Sequence, residues 1–332
     1  MKVPQQEVQK IIIFRALQLG DLLCFIPAIR ALRQAYPQAS VTLAGLPWAK
    51  AFVERFSDYF DNFIPFPGYP GLPEQAVQPA AFTSFLAEVQ AEKFDLALQM
   101  QGNGTLVNPM IELFGARYTA GFCVSHDYCP NKDLFLEYPN YGHEIERHIR
   151  LMNHLGIEEQ GLQLEFPLSG KDYEEFAELN LPVDPMHYIC IHPGSRGAWR
   201  QWPPKYFAEL ADYCKKQGFE VVITGTKDEL PIVEEVMSHM QTQAINVAGK
   251  TSLGSIGVLI KNAFALISNC TGVSHIASAF QTKSVVISMD GEPERWGPLD
   301  KNIHHTIDWT KTFDFGIARV ATISLFEEVT FE

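Results

Sequence analysis

The chain has 332 residues, 46% of them apolar and 20% charged, with 39 acidic against 26 basic side chains and a formal charge of −13. This is the composition of a globular protein with a substantial core, long enough for two domains of ordinary size. Acidic residues outnumber basic ones in both halves, which excludes nucleic-acid binding by bulk charge and leaves any anionic partner to a local basic patch. The six cysteines form no C-x-x-C pair and no paired Cys/His spacing, which argues against zinc and against a disulfide framework.

Near the start, Arg15 and Asp21 interrupt the apolar run, so "KIIIFRALQLGDLL" reads as strand, loop and helix rather than signal peptide. The helix is expected over 22–35, stopped by Tyr36-Pro37. "SVTLAG" then predicts a strand, "WAKAFVERF" a helix and "DNFIPF" a strand, and the Pro- and Gly-rich residues 67–79 a long loop. "FTSFLAEVQAE" is helical and "FDLALQMQG" a strand running into a Gly-rich loop. "NPMIELFGA" and "EIERHIRLMNHLGI" follow as helices, the latter closed by Gly156. After a looser region at 157–186 the pattern restarts. "HYICIHPGS", "FEVVITG", "QAINVAG" and "KSVVISM" are strands, while "PKYFAELADYCKKQG", "ELPIVEEVMSHM" and "LGSIGVLIKNA" are helices. Between the last of these helices and "KSVVISM", "AFALISNCTGVSHIASAF" gives a strand over 263–267, a polar loop and a helix from Val273.

Strands alternating with helices imply parallel sheets with crossover connections. Two such runs predict an α/β chain of two Rossmann-like domains facing a central cleft, 1–165 and 166–332. The last helix could pack back on the N-terminal domain. No apolar run reaches membrane-spanning length, and the expected address is the cytoplasm. Ligands of open α/β sheets bind beyond the carboxyl ends of the strands, so the loops there carry the chemistry.

After the first strand, Gly20 permits a tight turn and Asp21 stands where the helix begins. Asp21 suits an N-cap, and a carboxylate at a cleft mouth can also take a proton from a hydroxyl nucleophile. In "HPGSRGAWRQWPPKYF", Gly194 and Gly197 let the backbone approach a ligand, Ser195 offers a hydroxyl and an amide, and Arg196 and Arg200 supply charge suited to phosphate. Thr271 is a good N-cap, and the amides at Gly272 sit at the positive end of a helix dipole, a natural anion seat. "TGTKDE" places Thr226 and Glu229 where a carboxylate could take a ribose diol, although N-capping acids are common. "VAGKTSLGSI" could wall a base pocket with Lys250 and Leu253. The triplet Glu294-Arg295-Trp296 reads as a loop anchor. The chain has no G-x-G-x-x-G after the first strand, no G-x-x-x-x-G-K-[ST] and no D-x-D pair, so a dinucleotide oxidoreductase, a P-loop phosphotransferase and a metal-held diphosphate are not indicated.

Taken together, "LGDLL", "HPGSRGAWRQWP", "GKTSLG", "NCTGVSHIASA" and "PERWGP" resemble, in order and spacing, glycosyltransferase family 9, the ADP-heptose:lipopolysaccharide heptosyltransferases. The resemblance implies a GT-B fold with the acceptor on the N-terminal domain, and metal-independent, inverting transfer from a nucleotide-diphosphate sugar without any cofactor. By that resemblance Asp21 is the base. Ser195, Arg196, Arg200, Thr226, Glu229, Lys250, Leu253, Cys270, Thr271, Gly272 and His275 bind the donor. Gly20 and Arg117 are expected at the acceptor, a glycan or glycolipid that would bring the protein to the cytoplasmic face of the inner membrane. Arg147, Arg150 and Lys50 are further basic residues, mostly explicable as solvated helix charges. The chain departs from the family twice. Arg200 stands where a lysine is usual, and Cys270 replaces the aspartate of D-T-G-x-x-H, which in the family lies at the sugar end of the donor site. A cysteine does not accept hydrogen bonds from sugar hydroxyls as a carboxylate does. An altered-specificity or non-catalytic nucleotide-sugar-binding protein, or a nucleotide-sugar epimerase, are therefore alternative readings.

Overall fold

The apolar runs 11–14 and 96–98 lack the alternation of a half-exposed strand, and such runs are buried on both faces in parallel sheets. In a computed structural model, which describes residues 1–326, they form the middle of a six-stranded parallel sheet of order β3-β2-β1-β4-β5-β6. Its strands are β1 (Lys10–Phe14), β2 (Ser40–Gly45), β3 (Asn62–Pro65), β4 (Leu96–Gln99), β5 (Tyr118–Cys123) and β6 (Phe135–Glu137). Ile11 pairs with Val41 on one side and Leu96 on the other. The crossovers use α1 (Leu19–Ala35), α2 (Ala49–Arg55), α3 (Pro79–Glu92) and α4 (Asn108–Glu112), and α5 (Glu144–His154) follows β6. Ile12, Ile13, Leu22, Phe25 and Leu98 are fully buried, each worth roughly 1.5–3 kcal/mol of transfer from water.

The second sheet repeats this plan, with order β12-β11-β10-β7-β8-β9. It comprises β7 (Tyr188–His192), β8 (Glu220–Ile223), β9 (Ile245–Asn246), β10 (Ala265–Asn269), β11 (Lys283–Ser288) and β12 (His304–Asp308). Its helices are α6 (Gly170–Glu178), α7 (Pro204–Lys216), α8 (Leu230–His239), α9 (Leu253–Asn262), α10 (Gly272–Phe280), α11 (Pro293–Trp296) and α12 (Phe315–Ser324). Ile191, Val221, Ile267 and Val285 meet Trp202 and Phe207 in the core of this half. Two compact units result, Met1–Gln163 and Leu164–Glu332, which is the two-domain α/β plan expected. Among the described residues no helix is long and apolar enough to cross a membrane.

Several boundaries differ from expectation. Helix α1 starts three residues early, at Leu19 with Gln18 as N-cap, so Gly20 and Asp21 lie within its first turn instead of forming a tight turn and a cap. Strand β10 runs to Asn269, so Ser268 and Asn269 are strand residues, paired with Val286 and Ile287. The looser region contains α6, opened by a Ser169–Asp172 capping box. The last helix contributes Ala318 to the second core, and Leu325, just beyond it, joins the same cluster.

Candidate functional site

In each sheet the strand order reverses once, between β1 and β4 and between β7 and β10. Such switch points open a crevice at the carboxyl ends of the strands. In the N-terminal unit, the loop after β1 is tied to the loop after β4 by Ala16 N, which donates to Gln101 Oε1 at 2.6 Å. Arg15 Nη1 donates to Met100 O, and Arg15 Nε to Asp21 O at 3.0 Å. Arg15 Nη2 lies 3.3 Å from Glu144 Oε1 and 3.8 Å from Asp21 Oδ1. The Arg15 side chain is fully buried, whereas that of Asp21 is 24% exposed, a carboxylate open to solvent on one side and faced by a fixed cation on the other. Glu144 also pairs with Arg147 and His148, each at 3.3 Å. Buried charges are tolerated when each meets an opposite one.

In the C-terminal unit the switch-point loops are held by Asn269. Its Oδ1 accepts from Trp202 N at 2.9 Å, and its Nδ2 donates to Pro193 O at 2.6 Å and Gly194 O at 3.3 Å. That fixes the loop bearing Ser195, whose carbonyl accepts from Gln201 Nε2 at 3.1 Å. Thr271 is the N-cap residue of α10 but makes no side-chain cap bond, while Ser274 Oγ donates to its carbonyl at 2.7 Å. Gly272 opens α10, where first-turn amides have no intrahelical acceptor. His275, one turn on, is buried. Cys270 is buried beside them, and burial, reinforced by the charge of Asp290, pushes its thiol up to about 12.

Glu229 approaches the same loop from β8. Its Oε2 accepts from Thr226 N at 2.7 Å, closing a capping box with Thr226. The carboxylate packs so closely on Gly194 that a Cβ there would fall 2.2 Å from Glu229 Cδ. His192 Nε2 is 3.7 Å from Glu229 Oε2, and its Nδ1 meets Thr224 Oγ1 at 3.0 Å. Burial lowers the His192 pKa against the opposing pull of Glu229. Lys250 is exposed and donates to Asn246 O at 2.9 Å, and Leu253 begins α9 behind the Ser252–Ser255 capping box. Arg196 is exposed. Arg200 is paired with Asp290 and lies over the Trp199 ring at 5.6 Å.

The sequence of glycosyltransferase family 9 (heptosyltransferase) matches residues 82–315, more than half of the chain. The chain belongs to glycosyltransferase family 9. It is 22% identical over 316 residues to the lipooligosaccharide heptosyltransferase 2 of Haemophilus ducreyi, covering 88% of this chain and 86% of that one. It is 25% identical over 300 residues to the lipopolysaccharide heptosyltransferase 3 of Escherichia coli K12, covering 86% and 83%. Among solved structures, the fold is shared with a family 9 glycosyl transferase from Veillonella parvula (TM-score 0.78, 20% identity, 96% of this chain and 91% of that one). It is also shared with the Escherichia coli ADP-heptose heptosyltransferase II (TM-score 0.72, 19% identity, 95% and 99%).

Not every residue expected in this family 9 glycosyltransferase gathers at a switch point. Arg117 precedes β5 and pairs with Glu7 at 2.5 Å. Both stand at the amino ends of parallel strands, the opposite end of the sheet from Asp21. The structure therefore does not bring Arg117 to Asp21, because its partner Glu7 lies before β1, at the amino end of the sheet. Arg147 is buried, not solvated, and donates to Tyr138 OH at 2.9 Å. Arg150 does remain a partly exposed helix charge, 3.5 Å from Glu146, and Lys50 is exposed. Glu292 accepts from Trp296 Nε1 at 3.4 Å and pairs with Arg295 at 3.3 Å, as a loop anchor would.

Four site residues were missed. In the sequence Arg15 reads only as a break in an apolar run, Glu144 as the start of a helix and Asn269 as loop, while Asp290 precedes the Glu294-Arg295-Trp296 triplet with no role of its own. A lone charge inside a buried strand, as at Arg15, is the one signal that could have been used. Among the described residues no group of three His, Cys, Asp or Glu side chains could hold a metal ion.

Proposed function

We propose that the chain transfers a heptosyl group from ADP-heptose to a hydroxyl of the lipopolysaccharide core, with inversion and without a metal. The observation that carries this reading is Asp21, a partly exposed carboxylate held by buried Arg15 at the switch point of the N-terminal sheet, in a chain of this family. Asp21 takes the proton as the acceptor oxygen attacks the anomeric carbon. The bond from that carbon to the diphosphate oxygen breaks, and ADP leaves from the opposite face with the electron pair. Its charge is met by Arg200, by Ser195 and by the amides that begin α10, donors that act electrostatically where charge develops. Glu229 takes the ribose diol with the oxygen not committed to Thr226, and Lys250 and Leu253 flank the base. The names of the relatives support heptose and the lipopolysaccharide acceptor. Work on such an acceptor would place the protein at the cytoplasmic face of the inner membrane.

A thermal-shift screen across ADP-, GDP- and UDP-sugars tests the donor. A ligand at a hundred times its dissociation constant stabilises by about 2.7 kcal/mol, and no shift with any of them would overturn the reading. Asp21→Asn then tests the base. Transfer should fall by about 10²–10⁴-fold while nucleotide binding persists; lost binding in a folded variant would count against Asp21 as base. Cys270 favours a second reading, a binding protein on the same fold, which predicts nucleotide-sugar binding without transfer to any acceptor.

A further inference from the structure

Asp290 follows β11 and reaches the donor loops from the side. Its Oδ1 accepts from Ser288 Oγ at 2.8 Å and from Glu292 N at 3.3 Å, and its Oδ2 takes Arg200 Nη2. The carboxylate is 10% exposed and Arg200 31%. Cys270 follows the neighbouring strand directly, its backbone N donating to Ile287 O at 2.8 Å, and the charge of Asp290 acts on the thiol. Loops from β7 and β11 thus meet at one carboxylate, and the arginine assigned above to the diphosphate already has an anion.

This pairing sets a condition on any ligand. A diphosphate seated on Arg200 competes with Asp290 for the guanidinium, and a nearly buried carboxylate that loses a charged donor is costly to leave unmet. A bare nucleoside diphosphate brings no hydroxyl beyond its terminal phosphate to replace it. A nucleotide sugar does, because its hydroxyls follow the diphosphate directly, and a carboxylate accepts from such hydroxyls. We infer that Asp290 is a specificity residue of the donor site, yielding Arg200 to the diphosphate and accepting a hydroxyl of the attached sugar. The site then favours the intact donor over the nucleoside diphosphate left after transfer. Once the sugar is gone, Asp290 reclaims Arg200 and the product is released. The inference rests on the donor site proposed above.

Calorimetric titration of the full chain with ADP and with ADP-heptose, no acceptor present, tests it. The wild type should bind ADP-heptose more tightly than ADP. In Asp290→Asn the ADP dissociation constant should tighten, because its competitor for Arg200 is gone, while that for ADP-heptose should loosen. The preference should fall by at least about tenfold, the size of one hydrogen bond to a charged group. Equal changes for both ligands, or none, overturn the inference and leave the donor reading intact. A wild type that binds neither ligand overturns the donor reading itself. Should Asp290→Asn not fold, Ser288→Ala decides, since it keeps the charge and removes one anchor. A reduced preference supports the role, and an unchanged one overturns it.

Discussion

Arg15 grips Asp21 twice, through the backbone carbonyl at 3.0 Å and the carboxylate at 3.8 Å. The same guanidinium is held by Glu144 on α5 and by Met100 O after β4, so the orientation of Asp21 depends on three elements. Arg15→Ala would leave Glu144 with a charge less well met in a buried place, at a cost of about 3–5 kcal/mol. Urea denaturation checks this, and a loss under about 1 kcal/mol would mean the cluster is not structural.

Gly194→Ala should act on ligand rather than fold. The new methyl would displace the Glu229 carboxylate, the far end of a flexible side chain, from Thr226 N. Loss of one hydrogen bond to a charged group predicts nucleotide affinity weaker by about tenfold or more, with a melting temperature near that of the wild type. A variant with unaltered affinity would remove Glu229 from the nucleotide site.

Cys270→Asp is expected to cost stability and give no gain in transfer. It would bury a second carboxylate beside Asp290, and like charges so close do not both ionise easily. A penalty of about 1–3 kcal/mol by urea titration at pH 7 is expected for the poorly met polar group. A more than tenfold rise in transfer would instead mean that Cys270 had cost the chain its activity.

His304 makes stability depend on pH. It is buried against Ser284 Oγ at 2.8 Å, and burial lowers its pKa from 6.5 to about 4, opposed by Asp300. The folded chain therefore holds His304 neutral where the unfolded chain already takes up a proton. This contribution is complete above pH 6.5 and is lost as pH falls toward 4, by up to roughly 3 kcal/mol. Urea midpoints between pH 7.5 and 4.5 should drop more steeply for the wild type than for His304→Asn. Parallel profiles would clear His304 of this role.

The long apolar strands and their helices were legible because burial on both faces of a parallel sheet leaves continuous runs such as Ile11 to Phe14. Strands that depart from that composition were not. β5 carries Gly121, whose Cβ position is taken by Gln99, and β12 opens on two histidines. Asp21 and the α10 turn were readable because neighbouring residues in sequence define them. Arg15–Glu144 and Arg200–Asp290 join positions 129 and 90 residues apart, and no local spacing encodes such a pair. Asn269 was misplaced for a related reason. Its polar side chain suggests loop, yet it ends a strand because its amide satisfies the backbone of Trp202, Pro193 and Gly194.

Both sheets end in strands that are very short on at least one side, three residues in β6 and two in β9, and β3 ends at Pro65. An open sheet edge is a template on which another chain can add a strand, and a proline or a short edge gives it few groups to bond. The consequence concerns crowding: at high concentration these margins should resist edge-to-edge aggregation, even though parallel sheets of this kind assemble slowly from distant segments.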